Sequence, residues 1–274
     1  MLNADRATAP IRRSLSSIHF AKTDRIAIAL SGGGDSTALA CVARDFFAER
    51  GEADRLVAVT VDHGLRPGSA DEAGRVGAFC ASLGIVHRIS TWRGDKPAAG
   101  LQAAAREARY ALLAETARDH GCGIVLTGHT LDDQAETVAM RRRRGTGRGL
   151  SGIAPATLHD RRTWFVRPLI GRRRAELRTL LAARGQRWVD DPSNLDARFE
   201  RVRVREESAG QAIDAAEFRK AFEARRAEAE AAAAVLSDPA VWLFDADART
   251  ADLVPAASAD ADGFALALAV VLGW

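Results

Sequence analysis

The sequence is poor in several residue types, and these shortages limit what the protein can be. Its 274 residues include only 3 cysteines, 2 methionines and 1 tyrosine. The cysteines, Cys41, Cys80 and Cys122, form no C-x-x-C pair, and each sits in or beside an apolar segment. We therefore expect reduced core cysteines in a cytosolic protein and no disulfide framework.

The start of the sequence also lacks a long apolar run. No stretch there is long enough for a signal peptide or a membrane span, so we expect a cytoplasmic protein without a membrane partner. Apolar residues nevertheless make up 47% of the chain, which is enough for a sizeable core. The length exceeds that of one average domain and predicts a large α/β domain with a smaller appendage.

Positive charge is unevenly distributed, although the net charge is only +3. Residues 141–205 contain 18 arginines and no lysine, against 6 acidic residues. This local excess predicts a polyanionic partner. The alternative is a solvated face in a protein from an arginine-biased proteome.

The most informative stretch is a glycine-rich turn that follows an aliphatic run. Residues 26–30 are all aliphatic and predict a buried strand, and the turn after them should open a helix. Glycines let backbone N–H groups approach a phosphate closely, and a helix start adds partial positive charge. We therefore predict an anion site made by Ser31, Gly32, Gly33, Gly34, Asp35 and Ser36.

This turn differs from two common nucleotide-binding motifs. It lacks the lysine of a Walker loop and the G-x-G-x-x-G spacing of dinucleotide folds. Instead it contains Asp35, whose charge is unfavourable beside a phosphate unless a cation lies between them. We therefore predict a Mg²⁺ carried by the nucleotide. The alternative is an ordinary glycine turn after a strand.

A second predicted strand, residues 56–61, ends in the sequence Asp62-His63-Gly64-Leu65-Arg66. In an open parallel sheet, ligands bind outside the carboxyl ends of the strands. His63 and Arg66 are therefore predicted to contact the nucleotide or the substrate in the same crevice as the glycine turn. The alternative for His63 is a loop residue without a function.

Two arginines, Arg106 and Arg109, lie in a predicted helix over residues 102–119. Because positions i and i+3 share a helix face, these side chains suit an anionic partner. The same arrangement is also common on exposed helices.

A cluster of ionisable residues follows the fourth predicted strand, residues 124–127. His129, Asp132, Asp133 and Glu136 fall within two turns at the start of a helix. Such groups are costly together in a crevice unless they meet a cation or a substrate that transfers a proton. An acidic helix start favoured by the macrodipole would explain the two aspartates but not the histidine. We predict a functional site that shares one crevice with the glycine turn.

The arginine-rich region continues after this cluster. Arg148 lies in a glycine loop, residues 145–152, that we expect to be a flexible, positive gate over a phosphate-rich ligand. A further strand is predicted at 164–169 and a basic helix at 172–184. In residues 198–205 arginines alternate with apolar residues, which would place the arginines on one side of an extended segment.

The last part of the sequence changes character. Residues 212–236 are rich in alanine, glutamate and arginine and predict one long helix. The chain stops in an apolar run, residues 264–274, that would expose apolar surface if nothing covered it. We therefore expect that a longer parent protein was truncated here.

These motifs together resemble those of the tRNA(Ile)-lysidine synthetases, a family of the PP-loop ATP pyrophosphatase superfamily. The resemblance runs from residue 25 to about 205. The glycine turn alone marks only the superfamily, whereas the whole set is specific. The family usually has a serine where this chain has Thr146, and commonly an R-N-R-x-R run where it has residues 199–205. The set consists of the glycine turn, residues 61–66, 105–110 and 128–137, Arg167-Pro168-Leu169 and Asp190-Asp191-Pro192-Ser193-Asn194.

The resemblance implies an adenine nucleotide alpha hydrolase-like fold, in which a mostly parallel sheet is doubly wound. Residues 1–208 would form the PP-loop ATP-binding catalytic domain. Residues 209–274 would form a linker helix and a partial C-terminal domain, a smaller helical appendage.

The resemblance also implies the reaction. ATP and Mg²⁺ would be used to adenylate the C2 oxygen of the wobble cytidine in the CAU anticodon of tRNA(Ile). Lysine would then displace AMP to give lysidine. Whether two chains pair stays open.

The roles implied for individual residues follow from the same match. Asp133 and Glu136 would hold the lysine ammonium, and His129 or a carboxylate would accept its proton. Arg109 would touch the adenylated base or the phosphates, and Asp35 would orient the Mg²⁺. His63 would join the glycine turn in binding the nucleotide. The residues assigned to substrate or tRNA are Arg66, Arg106, Asp132, Arg148, Arg201, Arg203 and Arg205.

Three other functions compete with this one. A tRNA thiolase of the same superfamily would need paired cysteines for sulfur or an iron–sulfur cluster, and none are paired here. A non-catalytic nucleotide-binding protein would explain the glycine turn but not the ionisable cluster. A synthetase that adenylates small acids would not require the arginine surplus, so salt-sensitive tRNA binding separates it from the tRNA enzyme.

Overall fold

The structure is a computed structural model. The structure describes residues 2–22, 24–64, 68–97, 99–145, 152–189, 200–207, 242–245 and 250–253, and the single residues 220, 223, 224, 227, 230, 231, 234 and 235. The chain divides into two compact units. The first contains Met1–Met140 and Ile153–Gln211, and the second contains Arg141–Gly152 and Ala212–Trp274.

The helices and strands of the first unit alternate along most of its length. The helices are α1 (Leu2–Ser16), α2 (Gly34–Ala48), α3 (Ser69–Leu83), α4 (Leu101–Asp119), α5 (Leu131–Arg143, whose end belongs to the second unit), α6 (Arg174–Ala183) and α7 (Glu200–Glu207). The strands are β1 (Arg25–Ala29), β2 (Leu56–Asp62), β3 (Val86–Thr91), β4 (Cys122–Leu126), β5 (Ala156–His159) and β6 (Thr163–Val166).

The six strands form one sheet in the order β3-β2-β1-β4-β6-β5. All neighbours are parallel except β5 and β6. Central parallel strands are covered on both faces, which explains why residues 26–30 are aliphatic throughout. Ile26 and Ile28 pack into one core, with residues of α1, α2 and α6, while Ala27 and Ala29 face a second core with α4. The predicted doubly wound, mostly parallel sheet is confirmed.

The order of the strands creates the crevice. The chain adds β2 and β3 on one side of β1 and then places β4 on its other side. The chain leaves the carboxyl end of β1 toward one edge of the sheet and that of β4 toward the other edge. In open α/β sheets, ligands bind where neighbouring strands diverge in this way. The glycine turn follows β1, and the ionisable cluster follows β4.

Two local elements were not predicted from the sequence. Strand β5 was not predicted, because the alternation in its sequence, Ala-Thr-Leu-His, spans only four residues, and it lies at the edge of the sheet. The second is helix α7, in a segment whose alternation would have placed its arginines on one side only if it were extended. A helix brings Arg201 and Arg205, four positions apart, to one face, and both contact Glu136 there.

The second unit is described at fewer positions. The described residues between 220 and 235 are helical. Strands β7 (Trp242–Asp245) and β8 (Thr250–Leu253) then form an antiparallel pair, so a purely helical appendage is not confirmed. The predicted linker helix and the domain roles stay predictions, and the terminal apolar run lies outside the described residues. Among the described helices, none is long and apolar enough to cross a membrane.

Candidate active site

The glycine turn is held mainly by its own hydrogen bonds. The N–H of Ser31 donates to Ser36 Oγ at 3.2 Å, and this hydroxyl donates to the carbonyl of Gly33 at 3.0 Å. Thr37 Oγ1 donates to the carbonyl of Gly32 at 3.2 Å. All partners lie within six positions of one another, so the sequence fixes this turn locally.

Gly32 is required at its position. Its φ of +82° favours glycine, and a Cβ there would lie 2.9 Å from Cγ2 of Val76. Helix α2 starts directly after the turn, with Gly33 as an N-cap that offers no side-chain hydrogen bond. The first-turn N–H groups therefore remain for a ligand, and the helix start favours an anion.

A short segment before the undescribed residues 190–199 covers the outer side of the turn. The N–H of Val189 donates to the carbonyl of Gly32 at 2.9 Å. A Cβ at Gly34 would lie 3.4 Å from Cδ1 of Trp188, so the indole packs against this glycine. Nothing in the sequence predicts these contacts, because the partners are more than 150 positions apart.

The loop after β4 approaches the glycine turn at Gly128. A Cβ at Gly128 would lie 3.0 Å from the backbone nitrogen of Ser36 and 3.1 Å from the carbonyl carbon of Asp35. These neighbours are backbone atoms that cannot rotate away. The absent side chain at Gly128 therefore lets the two loops meet.

The carboxylates of both loops share one guanidinium, that of Arg174. Its Nε donates to Asp35 Oδ2 at 3.2 Å and its Nη2 to Asp133 Oδ1 at 3.1 Å. Its Nη1 donates to Glu136 Oε1 at 3.4 Å. Asp35 and Asp133 thus open onto one crevice, as the sequence predicted, but the sequence did not predict the arginine between them.

Two arginines of α7 contact the same acids. Arg205 Nε donates to Glu136 Oε1 at 2.8 Å, and Arg201 Nε donates to Glu136 Oε2 at 2.7 Å. Nη2 of Arg201 also lies 3.5 Å from Asp133 Oδ1. These two arginines, whose assignment as tRNA contacts stays a prediction, line the cavity beside a nearly buried carboxylate. Arg203 is exposed on α7.

The remaining contacts of Asp133, and those of its neighbour Asp132, hold the protein backbone. Asp133 Oδ2 accepts hydrogen bonds from the N–H and the hydroxyl of Thr130, at 2.7 and 2.8 Å, which caps the start of α5. Asp132 Oδ2 accepts from the N–H of Arg174 at 2.7 Å. Asp132 is thus an anchor for the start of α6, rather than a lining residue of the cavity.

Asp35 keeps one oxygen without a partner. Its Oδ1 atom is buried and accepts no hydrogen bond from the described residues. Burial raises the pKa of Asp35, the charge of Arg174 opposes this, and that of Asp133 adds to it. A cation at Oδ1 would supply the missing partner and would lower the pKa of Asp35. In the described part of the chain, no group of three or more His, Cys, Asp or Glu residues is arranged to hold a metal ion, so such a cation would need phosphate ligands as well.

His129 is a weak base in this structure. Burial, reinforced by Arg167 and Arg109, lowers its pKa to about 2. Nδ1 of His129 lies 3.0 Å from Thr127 Oγ1. Of the two proton acceptors implied by the resemblance, His129 or a carboxylate, these surroundings favour a carboxylate.

A second cavity, of about 170 Å³, adjoins the cavity between the two loops and shares Arg109 and His129 with it. His63 and Arg106 line only this second cavity. Arg109 makes no hydrogen bond or ion pair with the described residues, and burial lowers the pKa of its guanidinium. A bound anion would therefore stabilise its charged form.

The main cavity, of about 270 Å³, brings together most of the predicted site residues. Gly32 and Glu136 do not line it, and Arg66 and Arg148 lie outside the described residues. Five lining residues were not predicted as site residues: Arg174, Arg178, Val189, Ala29 and Gly128. Only the arginine surplus of the region hinted at the first two. The predicted residues that line it are Ser31, Gly33, Gly34, Asp35, Ser36, Arg109, His129, Asp133, Arg201 and Arg205.

The cysteines match the prediction of reduced core residues. Cys41, Cys80 and Cys122 are free and buried. Burial raises the pKa of Cys80 to about 12 and that of Cys122 to about 11. Thiols of this kind are poor metal ligands and nucleophiles, which leaves a thiolase less supported.

Comparison with known proteins gives consistent matches. Residues 6–211 match the family model of the PP-loop domain. Proteins named tRNA(Ile)-lysidine synthase are 53% identical over 199 residues in Mesorhizobium japonicum and 43% over 225 residues in Brucella ovis. The first alignment covers 70% of this chain and 44% of the relative, and the second covers 80% and 50%. The chain spans about half the length of these relatives.

A solved structure supports the fold. The U34-tRNA thiolase NcsA from Methanococcus maripaludis, with its 4Fe-4S cluster, superposes with a TM-score of 0.68 at 18% sequence identity. The match covers 81% of this chain and 78% of that one. At this identity the similarity concerns the fold alone.

Proposed function

The chain belongs to the PP-loop domain family, and from this premise we propose that it joins lysine to the wobble cytidine of tRNA(Ile) at the expense of ATP. One observation carries the proposal. A single cavity combines a phosphate-type glycine turn with the carboxylates that follow β4, in a chain whose relatives are named tRNA(Ile)-lysidine synthase.

The first step would form the adenylate. The C2 oxygen of the cytidine in the CAU anticodon attacks the α-phosphorus of ATP, and pyrophosphate leaves. The first-turn N–H groups of α2 and the hydroxyls of Ser31 and Ser36 hold the phosphates. Arg109, which has no partner in the described structure, would contact the adenylated base or the phosphates.

The second step would form lysidine. The lysine amine attacks C2, AMP leaves, and the amine loses a proton. Because the ordinary pKa of a lysine amine is about 10.4, a group in the site must take that proton. Asp133 and Glu136 hold the ammonium, and we assign the proton to a carboxylate because His129 is a weak base.

The residues present fit a magnesium ion carried by ATP. Asp35 would hold it through Oδ1, the buried oxygen without a partner. When bound, Mg²⁺ neutralises phosphate charge and favours the departure of pyrophosphate.

The tRNA itself would be held largely through phosphate contacts. Arg106 and Arg203 are exposed, and together with other arginines of residues 141–205 they would contact the anticodon stem, so binding should weaken with salt. We also propose a cytoplasmic location, which a tRNA substrate would suit. Pairing of two chains stays open.

The test is ATP-dependent incorporation of radiolabelled lysine into a tRNA(Ile) transcript with a CAU anticodon. We expect incorporation with the wild-type chain, and a loss of at least about 100-fold in Asp35→Asn, because the cation that neutralises the phosphates loses its carboxylate ligand. Pyrophosphate release, measured in parallel, reports the first step alone.

Two controls make this test decisive. A transcript with uridine in place of the wobble cytidine should accept no lysine, and Asp45→Asn, on the opposite end of α2, should keep wild-type activity. Incorporation of sulfur instead of lysine, or lysine transfer that ignores the anticodon, would rule the proposal out.

A further inference from the structure

Arg174 contacts more of the active-site acids than any other described side chain does. Its guanidinium reaches Asp35 on the glycine turn and Asp133 and Glu136 on α5, and its side chain is about one-fifth exposed. Its position is fixed from behind, since Asp132 accepts the hydrogen bond of its backbone N–H. Arg174 is thus a fixed positive charge between the phosphate site and the acid pair, Asp133 and Glu136.

The acid pair has little capacity left for another cation. Asp133 Oδ2 already accepts two hydrogen bonds from Thr130, and its Oδ1 faces Arg174 and Arg201. Both oxygens of Glu136 also accept from arginines. An incoming ammonium would therefore compete with a guanidinium already in place.

We propose that Arg174 couples the two small substrates: in the empty site it occupies the position of the lysine ammonium, and bound ATP draws it onto the phosphates. The exchange conserves charge, because one cation leaves Asp133 and Glu136 as another arrives. A guanidinium also suits phosphate oxygens, to which it can donate two parallel hydrogen bonds. ATP should therefore promote the binding of lysine.

Arg174 suits this role better than its neighbours on α7. Arg201 and Arg205 contact the acids of α5 but no residue of the glycine turn. Arg174 alone among these three touches Asp35, so its guanidinium already stands next to the phosphate site.

This inference rests on the proposed function, because it takes lysine and ATP as the substrates. It is tested by calorimetric titration of the full chain with L-lysine, with and without a non-hydrolysable ATP analogue and Mg²⁺. In the wild type we expect the analogue to tighten the binding of lysine by at least about 10-fold. This measurement needs no variant, so it does not depend on the folding of one.

The variant Arg174→Met keeps the length of the side chain and removes its charge. We expect it to bind lysine without the analogue about as tightly as the wild type does with it, and to lose all but about 2-fold of the coupling. Its affinity for the analogue should fall. Arg172→Ala is the matched control, because Arg172 pairs with exposed Glu176 and does not line the cavity; it should keep the wild-type coupling.

The outcomes separate the inference from the proposed function. Lysine affinity that is the same with and without the analogue in the wild type would overturn the inference, as would full coupling in Arg174→Met. With either result, lysine could still be incorporated into tRNA, so the proposed function would stand. If lysine is neither bound nor incorporated under any condition, the proposed function fails first.

Discussion

The two loops that meet at the crevice are built in different ways. The glycine turn after β1 is held mainly by hydrogen bonds between residues at most six positions apart, such as Ser36 with Ser31 and Gly33. The acidic loop after β4 depends on partners far away in the sequence: Arg174 lies 38 positions from Glu136, and Arg205 lies 69. The first loop is specified locally, whereas the second is specified by the fold.

This difference predicts which substitutions disturb the whole structure and which act only at the site. A change in the acidic loop should release distant helices, and a change within the glycine turn should remain local. Four measurements test the comparison, from the largest expected effect to the smallest.

The variant Glu136→Gln should lower the free energy of unfolding most. It leaves three guanidinium groups around a side chain that is only 5% exposed and no longer charged. We expect a loss of about 2–4 kcal/mol, below the value for a fully buried pair because Arg201 and Arg205 are about one-third exposed. Urea unfolding measures it.

Glu176→Gln is the control for this variant. Glu176 forms an ion pair with Arg172 in which Glu176 is about half exposed and Arg172 about one-third exposed. Its loss should change the free energy of unfolding by about 0–1 kcal/mol. If both variants have equal effects, long-range contacts do not hold the acidic loop.

The variant Gly128→Ala tests the contact between the two loops. The new Cβ would lie 3.0 Å from the backbone nitrogen of Ser36, so one backbone must move. We expect a loss of about 1–3 kcal/mol in stability, as for overpacked sites, together with weaker ATP binding. Gly123→Ala, where no atom lies within 4 Å of the new Cβ, should leave ATP affinity unchanged.

The pH dependence of stability tests the surroundings of His129. Its folded pKa of about 2 lies below the ordinary 6.5, so the unfolded state binds more protons below pH 6.5. The contribution of His129 is therefore complete above pH 6.5 and is lost as the pH falls. Between pH 8 and pH 5 we expect the wild type to lose about 1–2 kcal/mol more than His129→Gln does. Parallel pH profiles would contradict a buried, neutral His129.

The variant Ser36→Ala should have the smallest effect on stability. It removes a hydroxyl that donates to Gly33 and accepts from Ser31, both within its own turn. We expect a loss of about 0.5–1.5 kcal/mol, measured by urea unfolding, with the helices elsewhere unchanged in far-UV circular dichroism. A loss as large as that of Glu136→Gln would show that the turn is not a local structure.

Much of the first unit could be predicted from the sequence. The buried parallel strands read as continuous aliphatic runs, so residues 26–30 and 56–61 identified β1 and β2. The order of motifs along the chain also identified the family resemblance, which the relatives confirm. Local patterns carry this information because each element is specified by its own side chains.

The remainder depends on contacts that no local pattern encodes. Asp132 reads as a substrate ligand in an acidic run, yet it anchors the start of α6. Arg201 and Arg205 read as tRNA contacts, yet they face Glu136, because α7 is a helix and not an extended segment. Arg174 shows no signal among so many arginines, although it holds both loops together.

The cavity wall has a practical consequence for handling the protein. Five arginines line the cavity against two aspartates, so its electrostatic field attracts small oxyanions in general. Sulfate or phosphate from a purification buffer would settle there and mask the affinity of the true ligands. Titrations are therefore best run in chloride with an amine or zwitterionic buffer, and a crystal grown from ammonium sulfate should show density for an oxyanion beside Ser36.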